Sequence, residues 1–191
     1  MARSWSSSQG FSLVETLVAT GILLTVSLGV AQMFGVATSR NFAARQQVST
    51  TTLATQKMEQ LRGLTFAYDS SGLGLPITDT TTNLTLATPD TTGIGLDPSP
   101  SNVLEENTTN YVDYLDGQGN WVGTGTTPPS GAIFTRRWAI RALPTNPNNT
   151  LILQVLVTPT WREERRVRTA DGRTRQVEDA LLTSVLTRKA P

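Results

Sequence analysis

Hydrophobic residues dominate the chain between residues 11 and 39, where Glu15 is the only charged side chain. Leu, Ile, Val, Phe and Met are interspersed there with small Gly, Ala, Ser and Thr residues. As a helix this stretch would be roughly 43 Å long, which exceeds the ~30 Å hydrocarbon core of a bilayer. The pattern therefore predicts a transmembrane helix over residues 11–39.

The next stretch, residues 40–63, contains no proline, and its apolar or small residues recur at helical spacing. These residues are Ala44, Val48, Thr51, Ala54, Met58 and Leu61. Most charged and amide side chains, including Lys57, fall between them, which places them on a polar face. Gly63 is a natural helix stop. We therefore expect one helix from about residue 12 to residue 62, with residues 40–63 as an amphipathic half that covers a globular domain.

The composition changes after Gly63, because residues 64–131 are rich in Thr, Gly, Pro, Asn and Asp. We interpret this region as a long surface connection with one short strand near residues 84–86. Two further short strands are predicted within residues 110–122, on either side of a turn at Asp116 and Gly117.

Three longer stretches of alternating polarity predict strands at residues 133–143, 151–161 and 180–186. Short connections between them imply antiparallel neighbours. Such a sheet needs a partner for its apolar face, and the amphipathic helix half supplies one. The predicted fold class is α+β, a long N-terminal helix packed on an antiparallel sheet of three or four strands within residues 132–191.

The chain contains no cysteine and no histidine, so disulfides, thiolate metal sites and histidine-based catalysis are excluded. Its formal net charge is +1, which gives no reason to expect nucleic acid as a partner. Residues 161–175 carry six arginines, but three acids lie among them, which favours a solvated hairpin tip. We expect no enzymatic activity and no cofactor.

One group of oxygen-bearing side chains is a candidate calcium site. Asp113, Asp116 and Asn120 lie in the predicted hairpin and could supply oxygen ligands. Their spacing does not match an EF-hand loop. A plain hairpin is the preferred interpretation, and no metal site is predicted.

Charge at the N-terminus predicts the orientation of the membrane segment. Arg3 precedes the apolar run, and positive charge on that side predicts a cytoplasmic N-terminus. Glu15 lies in the first helical turn, where the positive end of the helix dipole favours an anion. A carboxylate near the start of a membrane helix is nevertheless unfavourable unless it is paired.

Gln9 and Gly10, followed by FSLVETLVA from Phe11, resemble the N-terminal signature of type IV pilins and type II secretion pseudopilins. The resemblance implies a leader at residues 1–10 that prepilin peptidase removes by cutting between Gly10 and Phe11. It further implies N-methylation of Phe11. In that family the acid at the position of Glu15 meets the N-terminal amine of a neighbouring subunit and sets the register between subunits.

The C-terminal half carries a looser resemblance, through Arg136-Arg137-Trp138, Trp161 and Leu182-Thr183, to minor pilins of the type IV pilus modification protein class. It implies a pilin-like fold and a minor pilin that enters or primes a pilus. The implied partners are other pilins, prepilin peptidase, the inner-membrane assembly machinery and, before assembly, membrane lipid. The implied location is the inner membrane as a single-pass protein, then a filament on the outer side.

Several alternatives stay open at this stage. The nearest is a minor pseudopilin of a type II secretion system, since the same strands also resemble the smaller I-type pseudopilins. A secretory signal peptide cut near residues 36–38 and an unprocessed membrane anchor are also conceivable, although the run is too long for the former. A membrane-anchored exported hydrolase would need paired carboxylates on a defined scaffold, and the sequence offers none.

Overall fold

The structure is a computed structural model that describes residues 12–70, 73–86, 93–161 and 179–189. One helix, α1, spans Leu13–Gly63 and precedes all the strands. The strands are β1 (Phe66–Tyr68), β2 (Pro76–Thr78), β3 (Val112–Leu115), β4 (Trp121–Thr124), β5 (Phe134–Ala142), β6 (Thr150–Pro159) and β7 (Ala180–Thr187). The contacts divide the chain into two units, residues 1–42 and 43–191.

The helix α1 is continuous over 51 residues, as the absence of proline and the spacing of apolar residues predict. Among the described residues it is the one helix that is long and apolar enough to cross a membrane, by length and composition. Arg62 lies in its last turn, where a cation interacts favourably with the helix dipole. The helix ends at Gly63, the residue that the sequence indicates as its stop.

The second unit is built around a five-stranded antiparallel sheet with the strand order β4-β3-β5-β6-β7. Short connections make β3–β4 and β5–β6 hairpins, so sequential strands are neighbours in both. The predicted α+β fold class, a long N-terminal helix packed on an antiparallel sheet, is confirmed. The sheet is wider than the predicted three or four strands because the β3–β4 hairpin joins it through pairing of β3 with β5.

The core lies between the second half of α1 and one face of the sheet. Buried helix residues face large sheet side chains such as Trp138, Ile140 and Leu153. The helix contributes Thr50, Leu53, Ala54, Lys57, Met58 and Leu61. The predicted apolar stripe was therefore only partly right, since Val48 is 67 % exposed and Thr51 is exposed as well. Lys57, which its residue type had placed on the polar face, is instead part of the buried face.

The region between helix and sheet contains more regular structure than the sequence indicates. The strands β1 and β2 pair as a small antiparallel sheet, whereas residues 84–86 form no strand. Arg188 fastens this hairpin to the end of β7, because its guanidinium donates to the carbonyl oxygens of Ala67 (2.9 Å) and Ile77 (2.6 Å). It also lies 4.0 Å from the centre of the Phe66 ring.

The connection that follows β2 is held by local hydrogen bonds. The Asp79 carboxylate accepts from the backbone N–H groups of Thr81 and Thr82, both at 3.1 Å. Gly95 has a φ of +47°, and a Cβ there would lie 2.1 Å from the Asp79 carbonyl oxygen. Only glycine can lie this close to the Asp79 backbone, so the loop is closed at Gly95. The arginine-rich hairpin tip predicted at residues 161–175 lies almost wholly outside the described residues.

Candidate functional site

The start of α1 is defined by Ser12, which precedes the first helical residue. Its hydroxyl accepts a hydrogen bond from the Val14 N–H at 3.3 Å, and its carbonyl accepts from the Glu15 N–H at 3.0 Å. Ser12 is therefore an N-cap, with Glu15 three residues later as in a capping box. The Ser-x-x-Glu spacing could have predicted this cap from sequence.

Glu15 is exposed in the first turn of α1, as the sequence predicts. The unpaired N–H groups of the helix start give this end a partial positive charge that stabilises an anion. The two other residues of the predicted processing site, Gly10 and Phe11, lie outside the described residues. Their roles remain predictions.

Hydroxyl side chains in the apolar part of α1 are satisfied within the helix. Thr20 donates to the Thr16 carbonyl at 2.7 Å, and Thr25 donates to the Gly21 carbonyl at 2.8 Å. Thr38 makes an equivalent bond to the Phe34 carbonyl at 2.9 Å. Because these donors are paired inside the helix, the polar residues add little penalty in a hydrocarbon environment.

The apolar side chains of this segment are exposed in the part of the chain that the structure describes. Leu13 is 79 % exposed, Met33 is 74 % exposed, and the most apolar 18-residue window of α1 has no buried residue. A Cβ at Gly21, Gly29 or Gly35 would meet nothing within 4 Å. Among the described residues these glycines therefore pack against nothing, and the stretch is an exposed apolar surface.

A second feature is a buried group of charges between α1 and the sheet, which we call the charge cluster: Lys57, Asp113 and Arg136. The Asp113 carboxylate accepts two bonds from Arg136, from Nε and Nη2, each at 2.8 Å. Lys57 Nζ lies 3.0 Å from Asp113 Oδ2. Lys57 and Asp113 are 0 % exposed and Arg136 is 4 % exposed. One carboxylate on β3 thus joins the helix to β5.

The charge cluster contains two cations and one anion, so it buries a net positive charge. Other groups partly offset this excess. Lys57 Nζ lies 4.1 Å from the centre of the Trp138 ring and also donates to the Leu84 carbonyl oxygen. Arg136 Nη1 donates to the Leu53 carbonyl oxygen at 3.2 Å. Every member of the charge cluster therefore has partners from more than one element.

Burial lowers the pKa of Lys57 from 10.5 to about 8. The attraction of Asp113 opposes this shift, and the repulsion of Arg136 adds to it. The lowered pKa means that the folded chain releases the Lys57 proton at a lower pH than the unfolded chain does. Keeping Lys57 protonated in the folded chain near neutral pH therefore costs free energy.

The charge cluster bears on one alternative and one prediction from the sequence. Asp113 was considered as a calcium ligand but not predicted as one, and both of its oxygens are engaged by Arg136 below the surface. Asp116 and Asn120 instead form the hairpin turn, where Asp116 Oδ1 accepts from the Asn120 N–H at 2.8 Å. Among the described residues no group of three or more His, Cys, Asp or Glu side chains could hold a metal ion.

The predicted position of Lys57 was wrong, since the side chain lies in the core and not on the polar face of the helix. A lysine at helical spacing between Ala54 and Leu61 carries no sequence signal for burial. The partner acid is 56 positions away in sequence and belongs to a strand that had been predicted only as part of a separate hairpin. The ion pair could therefore be recognised only after the strands were assembled.

No family model matches the chain, and neither a curated protein nor a solved structure matches it. Two features of the chain bear on its function: the exposed apolar helix with Glu15 at its start, and the charge cluster inside the folded unit.

The charge cluster generates a prediction about stability. Asp113→Asn leaves two buried cations without an anion and should lower the free energy of unfolding by about 3–5 kcal/mol. Lys57→Met leaves the two-bond pair of Arg136 and Asp113 and should change it by less than about 1 kcal/mol. Denaturant unfolding of the full chain in detergent, followed by tryptophan fluorescence, measures both.

Glu59→Gln serves as the control for these variants, because Glu59 is exposed on the same helix and pairs with exposed Arg62 at 3.5 Å. Its effect should stay below about 0.5 kcal/mol. A loss from Lys57→Met as large as that from Asp113→Asn would contradict the description of Lys57 as the surplus cation.

The lowered pKa of Lys57 predicts a pH dependence. Between pH 8 and 10.5 the folded chain has lost the Lys57 proton while the unfolded chain retains it, so stability from this group rises with pH. Relative to Lys57→Met, the wild-type chain should gain free energy of unfolding on the order of 1–3 kcal/mol between about pH 7.5 and 10. A difference that stays flat or falls over this range would refute the prediction. The other ionisable groups are common to both proteins, so their contributions cancel in the comparison.

Proposed function

We propose that the chain is a filament subunit of the type IV pilin and pseudopilin superfamily, most closely a minor pilin that enters or primes a type IV pilus. In this proposal residues 1–10 are a leader that prepilin peptidase removes. The cut falls between Gly10 and Phe11, and Phe11 becomes the methylated N-terminal residue. The chain acts as a structural component and has no catalytic role.

The observation that carries the proposal is the position of Glu15 at the start of an apolar helix, five residues after Gly10. A signal peptide or simple anchor has no need for a carboxylate there, and an unpaired one is unfavourable in a membrane. The new N-terminal amine of a processed neighbour would neutralise it. A pair of this kind contributes little net stability but strongly disfavours any other register between subunits.

The exposed apolar residues of α1 support the same proposal. A segment with no buried residue in its most apolar window needs surroundings that cover it on all sides. The bilayer provides them before assembly, and the packed helices of other subunits provide them in a filament. We propose a cytoplasmic N-terminus in the inner membrane, from which the assembly machinery moves the subunit into the filament.

The folded unit, residues 43–191, fits a subunit that displays a surface. Its sheet and the second half of α1 share a core that the charge cluster joins across three elements.

A minor pseudopilin of a type II secretion system is the second candidate. It is favoured by the likeness of the Arg136, Trp138 and Trp161 region to I-type pseudopilins. The long region 64–131 argues mildly against it, because those subunits tend to be shorter. The genes next to the one encoding this chain would separate the two, since pilus and secretion systems carry different neighbouring components.

Processing can be tested by mass spectrometry of the N-terminus of the protein purified from cells with an active prepilin peptidase. The expected mature chain begins at Phe11 and is heavier by one methyl group on the amine. Gly10→Leu should block cleavage, because a bulky side chain then precedes the cut, whereas Gln9→Ala should not. A mature protein that retains Met1 would refute the processing site.

The role of Glu15 predicts a separation between processing and assembly. Glu15→Gln keeps the shape of the side chain and removes its charge, so cleavage should remain while incorporation into filaments falls at least about tenfold. Thr16→Ala is the control, because it changes a neighbouring hydroxyl that bonds within its own helix. Immunoblots of sheared filaments and membranes measure both. Normal incorporation of the Glu15 variant would remove the basis for the registration role.

A further inference from the structure

The two edges of the five-stranded sheet differ in how well they are protected. The edge strand β4 has only four residues and includes Gly123, and its pairing with β3 shifts register between Tyr114 and Leu115. Pro129 lies beside it, 3.1 Å from where a Cβ of Gly123 would be. Short length, irregular register and a nearby proline discourage another strand from pairing there.

The opposite edge strand, β7, has none of these features. It contains eight residues, Ala180–Thr187, with no charged residue, glycine or proline among them. All of them pair with β6 in regular antiparallel register, from Ala180 with Val157 to Thr187 with Thr150. In the described part of the chain no strand pairs with the other side of β7 between residues 180 and 187. Its unpaired N–H and C=O groups form a template for another strand.

The free stretch of β7 has a definite end. Beyond Thr187 the chain forms a parallel bridge with β1, in which the Lys189 N–H donates to the Phe66 carbonyl at 3.0 Å. The Tyr68 N–H donates to the Lys189 carbonyl at 2.9 Å. The hairpin of β1 and β2 therefore occupies the position beside residue 189, and an added strand must stop before it.

The two faces of β7 are also distinct. Ala180 is 8 % exposed, and Leu182 and Leu186 pack against the core under the helix. The odd-numbered residues Thr183 and Val185 lie on the other face and are exposed, Val185 by 57 %. A strand that pairs with β7 must place apolar or neutral residues beside the β7 side chains on both faces.

We propose that the free edge of β7 binds the β7 strand of a second copy of this chain, antiparallel and around a two-fold axis at Thr183. Such an axis makes each face of one sheet continuous with the same face of the other. Even-numbered residues therefore lie opposite even-numbered residues, and odd-numbered residues lie opposite odd-numbered ones. Thr183 then lies opposite Thr183 of the second copy, Leu181 lies opposite Val185, and Ala180 lies opposite Leu186. The two sheets become one continuous ten-stranded sheet.

The length of the free stretch of β7 selects this register. It places Thr187 opposite Asp179 and therefore ends before Lys189, where β1 blocks the edge. A register centred on Val185 would place Leu181 opposite Lys189 and collide with β1.

The side chains favour the same pairing. Threonine pairs and apolar pairs across antiparallel strands are favourable, and like charges directly opposite are not. From Ala180 to Thr187 no charged residue is present, so the strand meets its own copy without repulsion. Every copy also carries the same free edge, which is the condition for a closed two-fold contact. The proposal does not depend on the pilin assignment.

The chain contains no cysteine, which allows a direct test of the register. Thr183→Cys would introduce a single thiol whose Cα lies about 4.5–5.5 Å from its counterpart across the axis, within disulfide range. Mild oxidation of the full chain in detergent should give a disulfide-linked dimer on non-reducing gels.

Thr187→Cys is the matched control, because it changes an exposed threonine of the same strand. In the proposed register its counterpart is roughly 27 Å away, so dimers should form at least about tenfold more slowly. Equal rates for the two thiols would indicate random collision or association through the membrane helix, and would overturn the proposal.

A second pair of variants tests the contact without any crosslink. Thr183→Lys places two lysines directly opposite each other and should convert the dimer of the full chain to monomer in sedimentation measurements. Thr187→Lys should leave it dimeric. A wild-type chain that is monomeric at the same concentration, or a Thr183→Cys variant that crosslinks in cells only to a different protein, would refute pairing with a second copy.

Discussion

The carboxylate of Asp113 is the point on which the folded unit depends. It pairs with Lys57 of the helix and with Arg136 of the neighbouring strand, so one anion links three elements. Apolar packing alone would tolerate a helix shifted along the sheet, because similar side chains would still be buried. A shift by one turn would separate Lys57 from Asp113 and leave the ammonium without its anion, whereas the pair of Arg136 and Asp113 lies within the sheet and would stay. The charge cluster therefore favours one arrangement of the helix on the sheet even though its net contribution to stability is small.

The two units of the chain differ in how the residues of α1 are covered. In residues 43–191 one side of α1 is covered by the sheet, and even charged side chains are paired in the interior. In residues 13–42 no part of the most apolar window is covered, and the hydroxyl groups bond to their own backbone. The first unit is long and apolar enough to cross a membrane and has no core of its own among the described residues. The second unit has a core of its own, and in the described part of the chain its long edge strand β7 has a neighbouring strand on one side only between residues 180 and 187.

Much of the fold was predictable because it follows from periodicity. The long helix, its end at Gly63 and the three long strands are local patterns, and the structure has them within about one or two residues. The strands β1 and β2 were missed because three-residue strands have too few positions for a period to emerge, and Arg188 that fastens them is distant in sequence. The charge cluster was missed for a related reason, since Lys57 becomes a core residue only through an acid on another element. The processing residues Gly10 and Phe11 rest on sequence resemblance alone.

The burial of Lys57 has a practical consequence for chemistry at amines. The sequence has two lysines, Lys57 and Lys189, and of these Lys57 is fully enclosed while Lys189 is exposed. Of these two side chains, a lysine-reactive dye will therefore label Lys189 in the folded chain, at the C-terminal end of the sheet. Label that appears on Lys57 reports separation of the helix from the sheet, which makes this residue a built-in probe of partial unfolding.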